Sequence, residues 1–162
     1  MAILLNVCLF IAVAITAWKW GGEPERRGGQ IILCLVGLSF LRHLLLGVQS
    51  EQIDIPGLAI DIFGFAAFSW IALFAWRIWP LWASSLQLIA VAAHTARSLD
   101  IPIHPLIYVL MRTAPTYLEV IVLLIGVASY RKQMRVHGSM PSWRNWSGPL
   151  NRIAPSRLRS DS

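Results

Sequence analysis

The chain has 162 residues, of which 56% are hydrophobic and only 14% charged, with a net charge of +6 and a mean hydropathy of +0.60. A soluble domain carries about 25% charged residues, so the composition excludes an ordinary soluble domain and points to the membrane class. Residues 131–162 hold seven Lys/Arg against Asp161 alone, so the basic excess belongs to the C-terminal tail and the body is neutral.

Apolar runs fall at 2–18, 31–48, 57–76, 80–98 and 103–129. Each approaches the roughly 20 residues a helix needs to cross a ~30 Å hydrocarbon core. The expected fold is therefore all-α: an integral membrane bundle of five transmembrane helices over residues 1–130, then a basic cytoplasmic tail over 131–162, expected to be flexible. In the first run Ala12-Val13-Ala14 mimics a signal-peptide cleavage site. No positive charge precedes it, however, and Lys19, Arg26 and Arg27 follow it, so it reads as a span.

The first connection, KWGGEPERRGGQ, carries Gly pairs, Pro24 and three positive charges and reads as a turn. The second, SEQIDIPG, holds Glu51 and Asp54 and no Lys/Arg. The third is a tight turn, Arg77-Ile78-Trp79-Pro80, with Pro80 suited to the first position of the next helix. The fourth, LDIPIHP, is broken by Pro102 and Pro105. Alternating spans put the first and third connections and the tail on one side, and together they hold eleven of the fourteen Lys/Arg. The positive-inside rule makes that side cytoplasmic, with the N-terminus outside. Trp18, Trp20, Trp76, Trp79 and Trp82 then fall at cytoplasmic span ends, the headgroup level where amphipathic rings settle.

Seven ionisable side chains lie within the spans: Arg42, His43, Asp61, His94, Arg97, Arg112 and Glu119. Such groups are costly in hydrocarbon and mark functional or pairing sites. At a rise of about 1.5 Å per residue, His43 and His94 both lie roughly 9 Å below the outer surface, Asp61 roughly 6 Å and Arg112 roughly 10 Å. Arg97 is nearer the surface and Glu119 near mid-membrane. Helical spacing aligns Ser84, Gln87, His94 and Arg97 on one face, Tyr108, Arg112, Thr116 and Glu119 on another, and Ser39, Arg42 and His43 on a third. These faces should turn inward. Asp61 could pair with Arg42 or Arg112, and Glu119 with Arg112, which would make the cluster a structural network. A ligand-binding pocket is the other outcome, with haem b between His43 and His94, or a quinone or small anion held by arginine and histidine, as the cofactor alternatives. No resident cofactor and no metal site are otherwise predicted.

Cys8 and Cys34 sit at different depths, cannot pair, and are expected to be buried packing residues. Gly37 with Ala66, Ala67 and Ala72 is expected to allow close helix approach. In the tail, Arg131, Lys132 and Arg135 are candidate contacts for anionic lipid headgroups. Interleaved Trp143 and Trp146 give a nucleic-acid role only weak support.

The segments RIWPLWASSLQLIAVAAHTARSLD and WKWGGEPERRGG resemble small multi-span bacterial inner-membrane proteins. The resemblance spans about residues 1–130 and implies a location in that membrane but no activity. With no nucleophile–base constellation and no phosphate loop, an enzyme is not expected. The first expectation is an accessory or structural subunit of a membrane complex, with lipid and other membrane subunits as partners. The alternatives are a haem- or quinone-binding redox protein, or a small transporter using an outer-leaflet polar pocket.

Overall fold

The computed structural model describes residues 2–46, 54–99, 104–138 and 142–143. They form five helices: α1 (Ala2–Trp20), α2 (Glu23–Leu46), α3 (Ile55–Phe74), α4 (Trp79–Ser98) and α5 (Pro105–His137). Among them there is no strand, only an isolated antiparallel bridge between Ala75 and Trp143. Glu51, Asp100, Pro102 and Trp146 lie outside the described residues.

Local chemistry sets the boundaries. Asp54 caps α3, its carboxylate accepting the Gly57 N–H at 2.9 Å, and Pro56 follows within the first turn. Proline at that position loses only a donor that has no helical partner. Pro80 and Pro105 open α4 and α5 in the same way. Gly138 ends α5 at φ 71°, a left-handed conformation that glycine adopts without a Cβ penalty, and its N–H closes on the Met134 carbonyl at 3.0 Å.

Three helices are long and apolar enough to cross a membrane: α2 over Glu23–Leu45, α3 over Ile55–Phe74 and α5 over Val109–His137. The described apolar stretch of α1, Asn6–Trp20, is shorter. α4 is diluted by Ser84, Ser85, Gln87, His94, Thr95 and Arg97.

Cross-helix pairs fix the packing. Ser69 meets Ser84 (2.8 Å) and Asp61 meets His94 (3.2 Å), so α3 and α4 are antiparallel. Asn6 meets Tyr117 (3.1 Å) and Arg131 lies over the Trp20 ring (4.9 Å), a constant offset that makes α1 and α5 parallel. Sequence neighbours thus alternate in direction, and α1 closes against α5. Phe10, Val13, Ile32, Leu35, Phe68, Leu123 and Val127 fill the core. Leu44, Leu73, Leu106 and Ile125 are large, apolar and exposed, as expected where the outer solvent is lipid.

One end of the bundle is organised by a residue that sequence reasoning left in a loop. The first connection shrinks to Gly21-Gly22, because α2 begins at Glu23. Glu25 is fully buried. One of its oxygens accepts from Arg77 Nε and Trp79 Nε1, both at 3.0 Å, tying α2 to the α3–α4 turn. Arg77 in turn lies over the Tyr130 ring of α5 at 5.2 Å. The Trp79 indole sits in a slot between Gly28 and Gly126; a Cβ at Gly126 would stand 2.6 Å from Trp79 Cδ1, and one at Gly28 would clash with the ring's far edge.

Several expectations are corrected here. Trp79 is buried, while Trp18, Trp20, Trp76 and Trp82 are exposed as interface aromatics should be. Cys8 and Cys34 are exposed, because the inward face of their helices is taken by Phe10, Val13, Ile32 and Leu35. Gly37 has open space around it and permits no close contact; Gly28, Gly64 and Gly126 do that work. Helix α5 runs through Tyr130 to His137, past the expected start of the tail. Trp143 does not stand off in solvent: its Nε1 donates to Glu23 at 2.6 Å, and Arg27 lies over its ring at 4.8 Å.

Glu25→Ala strips the buried Arg77 guanidinium and the Trp79 N–H of their shared acceptor. It should cost about 3–5 kcal/mol, read as a large drop in thermal midpoint in mild detergent, with Glu25→Gln falling less. Gly126→Ala should cost about 1–3 kcal/mol by overpacking the slot, whereas Gly37→Ala should leave the midpoint unchanged.

Candidate functional site

Helical periodicity turns a set of polar side chains inward at the level between α3 and α4. Ser84, Gln87 and His94 of α4 are all buried, as their spacing on one face requires. Ser84 meets Ser69 across the α3–α4 interface, and His94 Nε2 lies 3.2 Å from Asp61 Oδ2. Gln87, two turns from His94, lines the same cavity as the Glu119 side chain of α5. Gly64 makes room for that amide: a Cβ there would stand 2.8 Å from Gln87 Nε2.

Asp61, Gln87 and Glu119 border a cavity of about 260 Å³ to which all five helices contribute. Its polar wall is Asn6, Ser39, Arg42, Asp61, Gln87, Thr113, Thr116 and Glu119. Its apolar wall is Phe10, Ile32, Leu35, Val36 and Ile60, with the Tyr117 ring alongside. The Phe10 and Tyr117 rings are 6.2 Å apart by centroid. Tyr117 is held by its hydroxyl, which donates to Asn6 Oδ1.

The sequence-derived residues divide into three groups. Asp61 and Glu119 line the cavity together with Arg42. His94 stands behind Asp61, buried. His43 and Arg97 lie on exposed faces. His43 and His94 thus face different surroundings, one outward and one into the α3–α4 contact. The side chains of Arg112 and Tyr108 lie outside the described residues.

The pairing also differs from expectation. Arg42 does not meet Asp61; it pairs with Asp54. The cap geometry explains this. Asp54 spends one oxygen on the Gly57 N–H, which aims the other at the end of α2. Asp61 is left to His94. Asp54 and Glu25 are both buried acids that sequence reasoning assigned to connections. For Asp54 a signal existed, since Asp-Ile-Pro-Gly is an N-cap followed by a first-turn proline. For Glu25 the flanking Gly pairs hid it.

Two oxygens on the cavity are buried without a donor. Glu119 is 1% exposed and Gln87 5%, and Glu119 Oε1 and Gln87 Oε1 meet no donor from the described residues. Asp61 lines the same cavity as Glu119. A buried acceptor without a donor is costly, so the arrangement calls for water or a ligand in the cavity. Among the described residues no group of three or more His, Cys, Asp or Glu converges as a metal site.

No family model matches this chain, and no curated protein or solved structure is significantly similar to it.

Gly64→Ala should push the Gln87 amide off its seat and cost about 1–3 kcal/mol, visible in the thermal midpoint. Gly64→Leu, which fills the same space further, should cost more.

Proposed function

We propose that this is a five-span bacterial inner-membrane protein that handles a small polar solute or proton at its internal cavity. The single observation that carries the reading is a hollow in an apolar bundle, walled by all five helices, where buried Glu119 and Gln87 each keep an oxygen without a donor. Intramembrane ionisable groups that line a cavity mark solute or proton routes. An accessory subunit is the first expectation from the sequence; the cavity favours the solute reading over it.

Two further features support the topology. Helix directions alternate, which a five-span chain with short connections requires. The basic end carries Lys19, Arg26, Arg27, Arg77, Arg131, Lys132 and Arg135, which supports a cytoplasmic side for it by the positive-inside rule. Arg131, Lys132 and Arg135 are exposed on the last turns of α5, where each would add about 1 kcal/mol of attraction to anionic headgroups.

The test is flux in proteoliposomes challenged with ammonium, methylamine, urea, glycerol and formate by stopped-flow light scattering, with a pH-sensitive dye for protons. At least one of these should move faster than in empty liposomes, and Glu119→Gln should reduce that excess about tenfold, the worth of one charge-assisted hydrogen bond. Fluxes equal to those of empty liposomes across the whole panel would contradict the reading.

A further inference from the structure

The cavity's chemistry specifies its ligand more narrowly than its existence does. We infer that it takes a small organic cation bearing N–H donors, a protonated primary amine with an apolar body of about one ring. The inference rests on reading the cavity as a solute site.

Three observations carry it. The first is the pair of undonated oxygens. Glu119 Oε1 and Gln87 Oε1 are buried and undonated, and Asp61 opens on the same space. An anion would bring like charge against two carboxyl groups and supply no donor. A quaternary ammonium would supply charge without N–H groups, and a purely apolar ligand would leave the oxygens dry. A primary ammonium carries three donors, which matches three acceptors.

The second is the state of the cations nearby. Arg42, on the same wall, is bound to Asp54 at the end of the bundle. His94 stands behind Asp61 on the α4 side. Among the described side chains neither is bonded to the Glu119–Gln87 pair.

The third is size and the opposite wall. At about 260 Å³ the hollow far exceeds one water or ammonium, whose share of liquid volume is about 30 Å³. Phe10, Leu35, Ile60 and the Tyr117 ring line the same cavity. Such a wall takes a hydrocarbon body, and the two rings can also receive a cation over their faces. Polar and apolar lining in one cavity describe an amphipathic ligand.

The test is calorimetric titration of the full chain in nanodiscs with benzylamine, benzyl alcohol and benzoate, three probes of one shape and different charge. Empty nanodiscs subtract partition into lipid. Benzylamine should bind saturably and at least tenfold more tightly than the other two. Glu119→Gln and Asp61→Asn should each weaken it by about tenfold. Where a variant does not fold, the three-probe comparison on the unsubstituted chain decides alone. Equal affinity for benzoate or benzyl alcohol, no saturable benzylamine binding, or an affinity unmoved by Glu119→Gln would overturn the inference. Solute flux without benzylamine binding defeats this inference and leaves the transport reading standing; binding without flux does the reverse.

Discussion

A carboxyl group inside an apolar bundle has no bulk water to solvate it, so neighbouring side chains must do so. Four acids face that constraint here, and the way each is met organises the molecule. Glu25 is answered by a guanidinium and an indole N–H. Asp54 is answered by a backbone N–H and by Arg42. Asp61 has His94. Glu119 shares the cavity wall with the neutral amide of Gln87, with one oxygen left over. The first two are ion-paired and sit at the two ends of the bundle, with Glu25 Oε2, like Glu119 Oε1, meeting no donor from the described residues. The last two face the hollow between them.

That distribution separates structural from functional polarity. At the basic end, Glu25 joins α2, the α3–α4 turn and, through Arg77 and Tyr130, α5. Trp143 adds a strap by reaching back to Glu23 and Arg27. At the other end, the Arg42–Asp54 pair locks the end of α2 to the cap of α3. Helices pinned at both ends hold their spacing in the middle without filling it. A cavity there can persist, since collapse would break contacts at the ends or bury Glu119 with still fewer partners. Close packing elsewhere, such as Trp79 between two glycines, shows that the chain is able to exclude space where nothing is needed.

The sequence disclosed part of this and concealed the rest for identifiable reasons. The inward stripe Ser84–Gln87–His94 was legible because helical spacing alone sets a face. Asp61 and Glu119 were legible because a charge inside an apolar run stands out against its neighbours. Glu25 was not, since flanking glycines make a helix start resemble a solvated turn, whereas Asp54 carried an N-cap signal but was assigned to a connection. Trp79 could not be told from Trp76 and Trp82, because core and interface aromatics have the same local sequence context. What distinguishes it are Gly28 and Gly126, each about fifty residues away along the chain. His43 and His94 matched in depth but not in direction, and depth is all that residue counting gives. The exposure of Cys8 and Cys34 follows from the same limit: in an apolar helix facing lipid, inside and outside look alike.

The most direct measurement of the central claim is an experimental structure of the chain in a lipid nanodisc, at a resolution that shows ordered water. The account predicts non-protein density within hydrogen-bonding distance of Glu119 and Gln87, in a hollow bordered by all five helices. A dry, collapsed interior, with Glu119 turned away into a closed ion pair with Arg112, would contradict it.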